Sequence, residues 1–178
     1  MLYIRKVTFD QVLKQFWLEH PLDATHEKNT NQEAEELLII AEKLFHEWSS
    51  VLLDRRDILH TILPWHLGCN GKMTLVPKSG LTVQQTVKRL IKIQDIYSQE
   101  NIVCSHKIAK MKHSEFTPLF LSTQPIFHED YSEINIPGNL FHLDGLHRMV
   151  SWEFHGMLKE NVQVQAYIAG KLNYNSRN

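Results

Sequence analysis

The chain has 178 residues and a net charge of −1, with 43% hydrophobic and 22% charged residues. This balance is typical of a globular protein and argues against both a disordered chain and a large basic surface for nucleic acid. No apolar run approaches the ~20 residues that a membrane-spanning helix needs, and charges interrupt the N-terminal stretch where a signal peptide would be apolar. The sequence therefore predicts a cytoplasmic protein without a membrane or nucleic acid partner.

Two amphipathic helices are predicted in the first third of the chain. Apolar residues recur at helical spacing from Thr8 to Glu19, until a proline ends the pattern. Thr30 and Glu33 form an S/T-x-x-E capping box, and helical spacing then continues to about Leu53. We therefore expect residues 1–60 to form an N-terminal helical layer.

Strands and helices are predicted to alternate in residues 61–178. A second capping box, at Thr82 and Gln85, begins a helix of about 17 residues. The runs MTLVP, NIVCS, PLFLST, LFHL and NVQVQAYI are short and apolar or alternating, as strands are. The expected fold is α/β (α+β), with a small mixed sheet in this core domain and the helical layer packed against it as one compact unit.

The stretch LFHLDGLHRMVSWEFHG places several polar side chains where a predicted strand meets a predicted helix. The unpaired N–H groups of a helix N-terminus bind anions, and Gly145 would let the backbone come close to a ligand. Cations in a first helical turn are unfavourable unless an anion lies nearby, and the planar fork of Arg148 suits phosphate. Two interpretations stay open: a phosphate pocket, or Asp144 as an N-cap with His147 and Arg148 facing solvent or pairing with carboxylates.

The segment FHLDGLHRMVSWEFHGMLKENVQVQAYI resembles the signature segment of the ParB/sulfiredoxin superfamily, including DGQHR-motif proteins and the free-serine kinases built on this fold. The resemblance implies that Gly145, Leu146, His147 and Arg148 contact nucleotide phosphates. It also implies roles in shaping the site or in catalysis for Asp144 and His147, with His142 and Trp152 lining the pocket. Leu146 stands where sulfiredoxin has its catalytic cysteine, and no helix-turn-helix domain follows, so neither sulfinic acid reduction nor partition activity is expected.

The resemblance thus implies a nucleotide-dependent enzyme, a phosphotransferase or hydrolase acting on a small metabolite with ATP or ADP and Mg²⁺, and no protein metal site. Such an enzyme needs a carboxylate base, for which the sequence offers Asp57, Glu115, Glu129 and Asp130. A nucleotide-binding regulatory module without catalysis is the first alternative. A homodimer is left open.

A second alternative uses His142 and Asp144 as the H-x-D pair of an Fe(II) oxygenase, with His155 as the histidine that follows. The two cysteines, Cys69 and Cys104, are not expected to form a thiol nucleophile system, because no histidine is paired with either by spacing. The other histidines of the eleven in the chain are scattered, and we expect surface or core positions for them.

Overall fold

A computed structural model describes residues 1–20, 28–67, 71–134, 136 and 140–172, with the backbone alone for 28–31. Six α-helices and seven strands form in these residues. The helices are α1 (Phe9–Glu19), α2 (Lys28–Phe45), α3 (Arg55–His60), α4 (Val83–Glu100), α5 (Ile102–Lys110) and α6 (Leu146–Phe154). The strands are β1 (Leu2–Val7), β2 (Trp48–Asp54), β3 (Ile62–Leu63), β4 (Leu81–Thr82), β5 (Leu119–Ser122), β6 (Phe141–Asp144) and β7 (Gln163–Ala169).

All seven strands belong to one mixed sheet in the order β1-β2-β7-β5-β6-β3-β4. The β5/β7 and β3/β6 pairs are parallel, and the other four pairs are antiparallel. The predicted α/β fold with a mixed sheet is confirmed. The runs PLFLST, LFHL and NVQVQAYI form β5, β6 and β7, as their patterns predict.

Helices cover the sheet on both faces because residues along each strand alternate between two cores. Leu119 and Leu121 of β5 belong to the core that contains the buried residues of α4, α5 and α6. Phe120, between them, belongs to the core formed with Val12 and Phe16 of α1 and with α2. The α1/α2 layer is therefore present, as predicted, and α6 lies on the opposite face of the sheet.

Residues 1–60, predicted as a helical layer, also contribute two strands to the sheet. Helix α2 ends at Phe45 and the chain turns at His46, which has a φ of 52°. The predicted continuation of the helix is strand β2, which pairs with β7 along its whole length. Strand β1, which the sequence analysis did not predict, pairs with β2 at the edge of the same sheet. Most of β2 is buried, and Trp48, Val51 and Leu52 are at helical spacing, so its sequence fits a helix and a central strand equally well.

Three smaller predictions need correction. The run NIVCS was predicted to be a strand, but Asn101 precedes a helix that begins at Ile102. The run MTLVP contributes only a single bridge between Val76 and His66. Helix α2 spans Lys28–Phe45, so the predicted start at Thr30 lies inside the helix. The capping box at Thr82 is confirmed, and the predicted turn at residues 137–139 is outside the described residues.

In the part of the chain that the structure describes, none of the helices combines the length and the apolar character needed to cross a bilayer.

Candidate functional site

The turn between β6 and α6 is built on Gly145. This residue is the N-cap of α6 with a φ of 109°, and as a glycine it has no side chain to cap the helix. A Cβ atom at this position would lie 2.5 Å from Leu119 Cδ2 and 3.3 Å from Arg148 Nη2. Glycine is therefore required both by the left-handed backbone and by the close approach of its neighbours. The first-turn N–H groups of α6 begin next to this turn, as an anion site requires.

Arg148 is bonded within the protein and does not face solvent. Its Nη1 atom donates to Thr117 Oγ1 at 2.6 Å and to the Pro118 carbonyl at 2.8 Å. Its Nη2 atom donates to the carboxylate of Asp144, four residues earlier at the end of β6. The guanidinium thus ties the segment before β5 to the end of β6.

Asp144 has a different role from the predicted N-cap. Its carboxylate lies against Arg148 and is 3.5 Å from His20 Nε2 at the end of α1. Burial opposes its ionisation, but the charges of Arg148 and His20 outweigh burial and hold the pKa of Asp144 below its usual value. An ionised carboxylate held in this way is a weak proton acceptor, so Asp144 is suited to shaping the turn and not to acid–base catalysis.

His147 and His142 form a second group at the same turn. The Nε2 atom of His147 is buried, although part of the residue is exposed, and it has no hydrogen-bond partner among the described residues. The Nδ1 atom of His142, a residue only 9% exposed, is likewise without one. Burial lowers the pKa of His142 to about 4 and that of His147 well below its usual value. Both rings are neutral at pH 7, with nitrogen lone pairs able to accept a proton or coordinate a metal.

Two further residues complete this group, and the sequence analysis missed both. The rings of His66 and His147 meet edge to face, with their centroids 5.0 Å apart. His66 Nε2 lies 3.5 Å from the sulfur of Cys104, which is in the first turn of α5 and 3% exposed. One ligand atom from each of His66, Cys104 and His147 lies within 4.8 Å of the others.

Asn101 holds the segment that carries His66 in place. Its Nδ2 atom donates to the carbonyls of Leu67 at 2.8 Å and Met73 at 2.7 Å, and its Oδ1 accepts from the Met73 N–H at 3.0 Å. Asn101 is 1% exposed and lies between α4 and α5. One buried amide therefore fixes both ends of the loop after His66 beside the helix that carries Cys104.

The structure separates the residues of the predicted iron site. His155 lies at the other end of α6 with its Nε2 atom 3.3 Å from the Ile108 carbonyl, and the Asp144 carboxylate is bonded to Arg148. Within the described residues, the one group of three that could hold a metal is His66, Cys104 and His147. His142 and Asp144 therefore do not form a three-ligand centre with His155. Cys69 lies outside the described residues.

The remaining predicted site residues are core or surface positions. Leu146 is 6% exposed and packs in the core, so only its backbone is available to a ligand. Trp152 is fully buried and packs edge-on against Phe116, 5.0 Å between ring centroids. It belongs to the core beneath α6 and does not line an open pocket.

Of the four residues considered as a base, Asp130 is the one whose backbone is bonded next to this site, while its carboxylate lies 3.5 Å from His128 Nδ1. Its carbonyl accepts from the Trp65 N–H at 3.3 Å, next to His66, and the neighbouring Tyr131 hydroxyl donates to the His142 carbonyl at 2.6 Å. Burial, and then nearby carboxylates, raise the pKa of Asp130 against the opposing charge of His128. Glu115 and Glu129 are exposed, and Asp57 pairs with the N-terminal amine at 2.5 Å.

The fold and this site define an α/β protein with a two-sided mixed sheet and a histidine-rich turn between a strand and a helix. The chain belongs to a family of unknown function, DUF6309, whose model matches residues 1–178. No curated protein and no solved structure matches it.

Proposed function

We propose that the β6–α6 turn binds the phosphate of a nucleotide, ATP or ADP with Mg²⁺, and that the protein transfers a phosphoryl group to a small metabolite. The observation that carries the proposal is the start of α6. Its N-cap is a glycine, which has no side chain to cap it, and the buried Nε2 atom of His147, in its first turn, has no hydrogen-bond partner among the described residues. An anion at the first-turn N–H groups would satisfy both.

Charge around the turn supports the same proposal. Lys107 lies close enough to His66 and His147 for its charge to lower the pKa of both rings, in addition to the larger effect of burial. A phosphate group would balance this positive charge. Arg148 positions the turn through Asp144, Thr117 and the Pro118 carbonyl. These bonds use three of the five N–H groups of the guanidinium, so among the described residues Nε and the second hydrogen of Nη2 are left for a phosphate.

Asp130 is the carboxylate that we assign as the base that accepts the proton of the substrate hydroxyl. Its raised pKa brings it closer to the range in which a carboxylate transfers protons near neutral pH. One hydrogen bond, from the Trp65 N–H to the Asp130 carbonyl, holds its backbone beside the segment of His66.

Isothermal titration with ATP and ADP, with and without Mg²⁺, tests the binding step. We expect His147→Ala to weaken binding by more than about tenfold, ~1.4 kcal/mol, and His142→Ala by less. The exposed His106 on α5 provides the matched control, since His106→Ala leaves the turn unchanged. An absence of nucleotide binding by the folded wild-type protein, or equal affinities for wild type and His147→Ala, would contradict the proposal.

Phosphoryl transfer is tested by screening small hydroxyl compounds for nucleotide-dependent phosphorylation. Asp130→Asn should lower the rate of transfer and leave nucleotide affinity nearly unchanged, because the base acts on the acceptor and not on the nucleotide. Equal rates for wild type and Asp130→Asn would remove Asp130 from the mechanism.

A further inference from the structure

Three side chains from distant parts of the chain meet beside the β6–α6 turn without serving the nucleotide site as a group. His66 follows β3, Cys104 is in the first turn of α5 and His147 is in the first turn of α6. Their ligand atoms lie within 4.8 Å of one another, on a face of the sheet where Cys104 is part of the core. Two imidazoles and a thiol form a donor set of borderline-soft and soft ligands.

One of the three donor–donor distances matches that of a tetrahedral metal site, and the other two are no longer than 4.8 Å. With Zn–N of about 2.0–2.1 Å and Zn–S of about 2.3 Å, the nitrogen and sulfur donors of a tetrahedral centre lie about 3.5 Å apart. The His66 Nε2 to Cys104 Sγ distance is 3.5 Å. The buried Nε2 atom of His147 has no hydrogen-bond partner among the described residues, so nothing described there competes for its lone pair.

The surroundings restrain the ligands as metal sites require. Asn101 holds the segment after His66 through three hydrogen bonds to its backbone. Tyr97, a buried residue of α4, lies next to Cys104, and its hydroxyl has no hydrogen-bond partner among the described residues. Contacts behind the ligands, such as those of Asn101, orient the ligands and tune a bound metal.

We propose that His66, Cys104 and His147 bind a divalent transition metal, with Zn²⁺ the first choice, through two neutral imidazoles and one thiolate. This site goes beyond the proposed nucleotide activity and does not depend on it; with the metal bound, His147 would be its ligand and the first-turn N–H groups of α6 alone would hold the phosphate. Metal binding would release the thiol proton of Cys104 to solvent and form the metal–sulfur bond. Three protein ligands leave the fourth tetrahedral position for water or an exogenous ligand, as in catalytic zinc sites. Because Zn²⁺ and one thiolate leave a positive charge beside Lys107, an anionic fourth ligand would be favoured.

Metal content is the primary test. Purified protein is stripped with a chelator and titrated with Zn²⁺ against a chromophoric competitor. We expect one high-affinity equivalent per chain, and a loss of about a hundredfold or more in affinity for Cys104→Ser and His66→Gln. His106→Ala, with an exposed histidine two residues from Cys104, is the matched control and should bind like wild type. Circular dichroism confirms that each variant is folded.

Cobalt provides a measurement that does not depend on the folding of a variant. Co²⁺ bound to wild-type protein should give an intense sulfur-to-metal charge-transfer band and the strong visible bands of a tetrahedral centre. A folded wild-type protein that binds neither Zn²⁺ nor Co²⁺ more tightly than its ligand variants, or a Co²⁺ spectrum without the thiolate band, would overturn the proposal. Failure of the nucleotide proposal would look different, because Cys104→Ser and His66→Gln leave the Gly145 turn in place.

Discussion

The rings of His66 and His147 meet edge to face although nearly half the chain separates them. This contact joins the segment after β3 to the first turn of α6, and His66 in turn reaches Cys104 on α5. The proposed phosphate turn and the proposed metal site therefore share one residue, His147. Changes to the loop held by Asn101 should weaken metal binding more than phosphate binding. Changes at Gly145 and Arg148 should weaken phosphate binding at the turn more than metal binding.

Arg148 is expected to contribute to stability through its bond with Asp144. Replacing it with alanine leaves a carboxylate that is 17% exposed without its main partner, together with an unpaired Thr117 hydroxyl. We expect Arg148→Ala to lower the free energy of unfolding by about 3 kcal/mol. Urea denaturation measures the loss, and Arg89→Ala, which removes one exposed bond to a carbonyl, is the control.

Adding Asp144→Asn to Arg148→Ala isolates the pair. If the buried carboxylate causes most of the loss, the double variant should be more stable than the sum of the two single effects predicts. Additive effects would mean that Arg148 acts through Thr117 and Pro118 and not through Asp144.

Gly145→Ala tests crowding at the turn. The new Cβ atom would meet Leu119 at 2.5 Å on a backbone with φ of 109°. Gly156→Ala is the matched control, because Gly156 also has a positive φ, 66°, but open space around it. Left-handed backbone alone costs about 1–2 kcal/mol, so Gly156→Ala should lose about that much and Gly145→Ala clearly more. Equal losses in thermal or urea unfolding would show that Leu119 moves aside without cost.

The sequence predicted local features of this protein better than distant ones. The strand–turn–helix at Asp144 to Arg148 could be recognised because its residues are adjacent in the sequence. The strand, the glycine and the helix N-terminus also each have a local sequence pattern. The identity of β2 could not, since the run at Trp48 keeps apolar residues at spacings that suit both structures. Pairing with β7, more than a hundred residues later, decides between them.

The group at His66 was beyond prediction for the same reason. Its members lie in three segments, and the chain has eleven histidines, so spacing gave no reason to choose this one. Cys104 was further obscured because NIVCS is too short for its periodicity to separate a strand from the first turn of a helix. The fold brings the three side chains together through α5 and α6 packing on the same face of the sheet.

Asn101→Ala should remove the contacts that hold the loop against α4 and α5 while leaving the proposed metal ligands unchanged. Three buried hydrogen bonds to the backbone of Leu67 and Met73 would be lost. We expect a loss of roughly 2–4 kcal/mol in the free energy of unfolding and a metal affinity lower by about 10–100-fold. Hydrogen exchange should rise at the Met73 amide in particular. Metal affinity equal to that of wild type would show that the ligands are held independently of the loop.

His142 should make stability depend on pH in a known direction. Burial lowers its pKa from 6.5 to about 4, against the opposing effect of the Asp144 charge. Between these values the unfolded chain binds a proton that the folded protein excludes, so stability is full above about pH 6.5 and falls as the pH drops toward 4. One such group contributes up to about 1.4 kcal/mol per pH unit, and the lowered pKa values of His66 and His147 act in the same direction.

Urea denaturation in the presence of a chelator, from roughly pH 7 to pH 5, should show this dependence of the free energy of unfolding on pH. His142→Leu should reduce the slope by the contribution of one proton, up to about 1.4 kcal/mol per pH unit. It should cost little stability at pH 7, because it also removes an Nδ1 atom that has no hydrogen-bond partner among the described residues. Equal slopes for the two proteins would mean that the ring of His142 takes up a proton in the folded state.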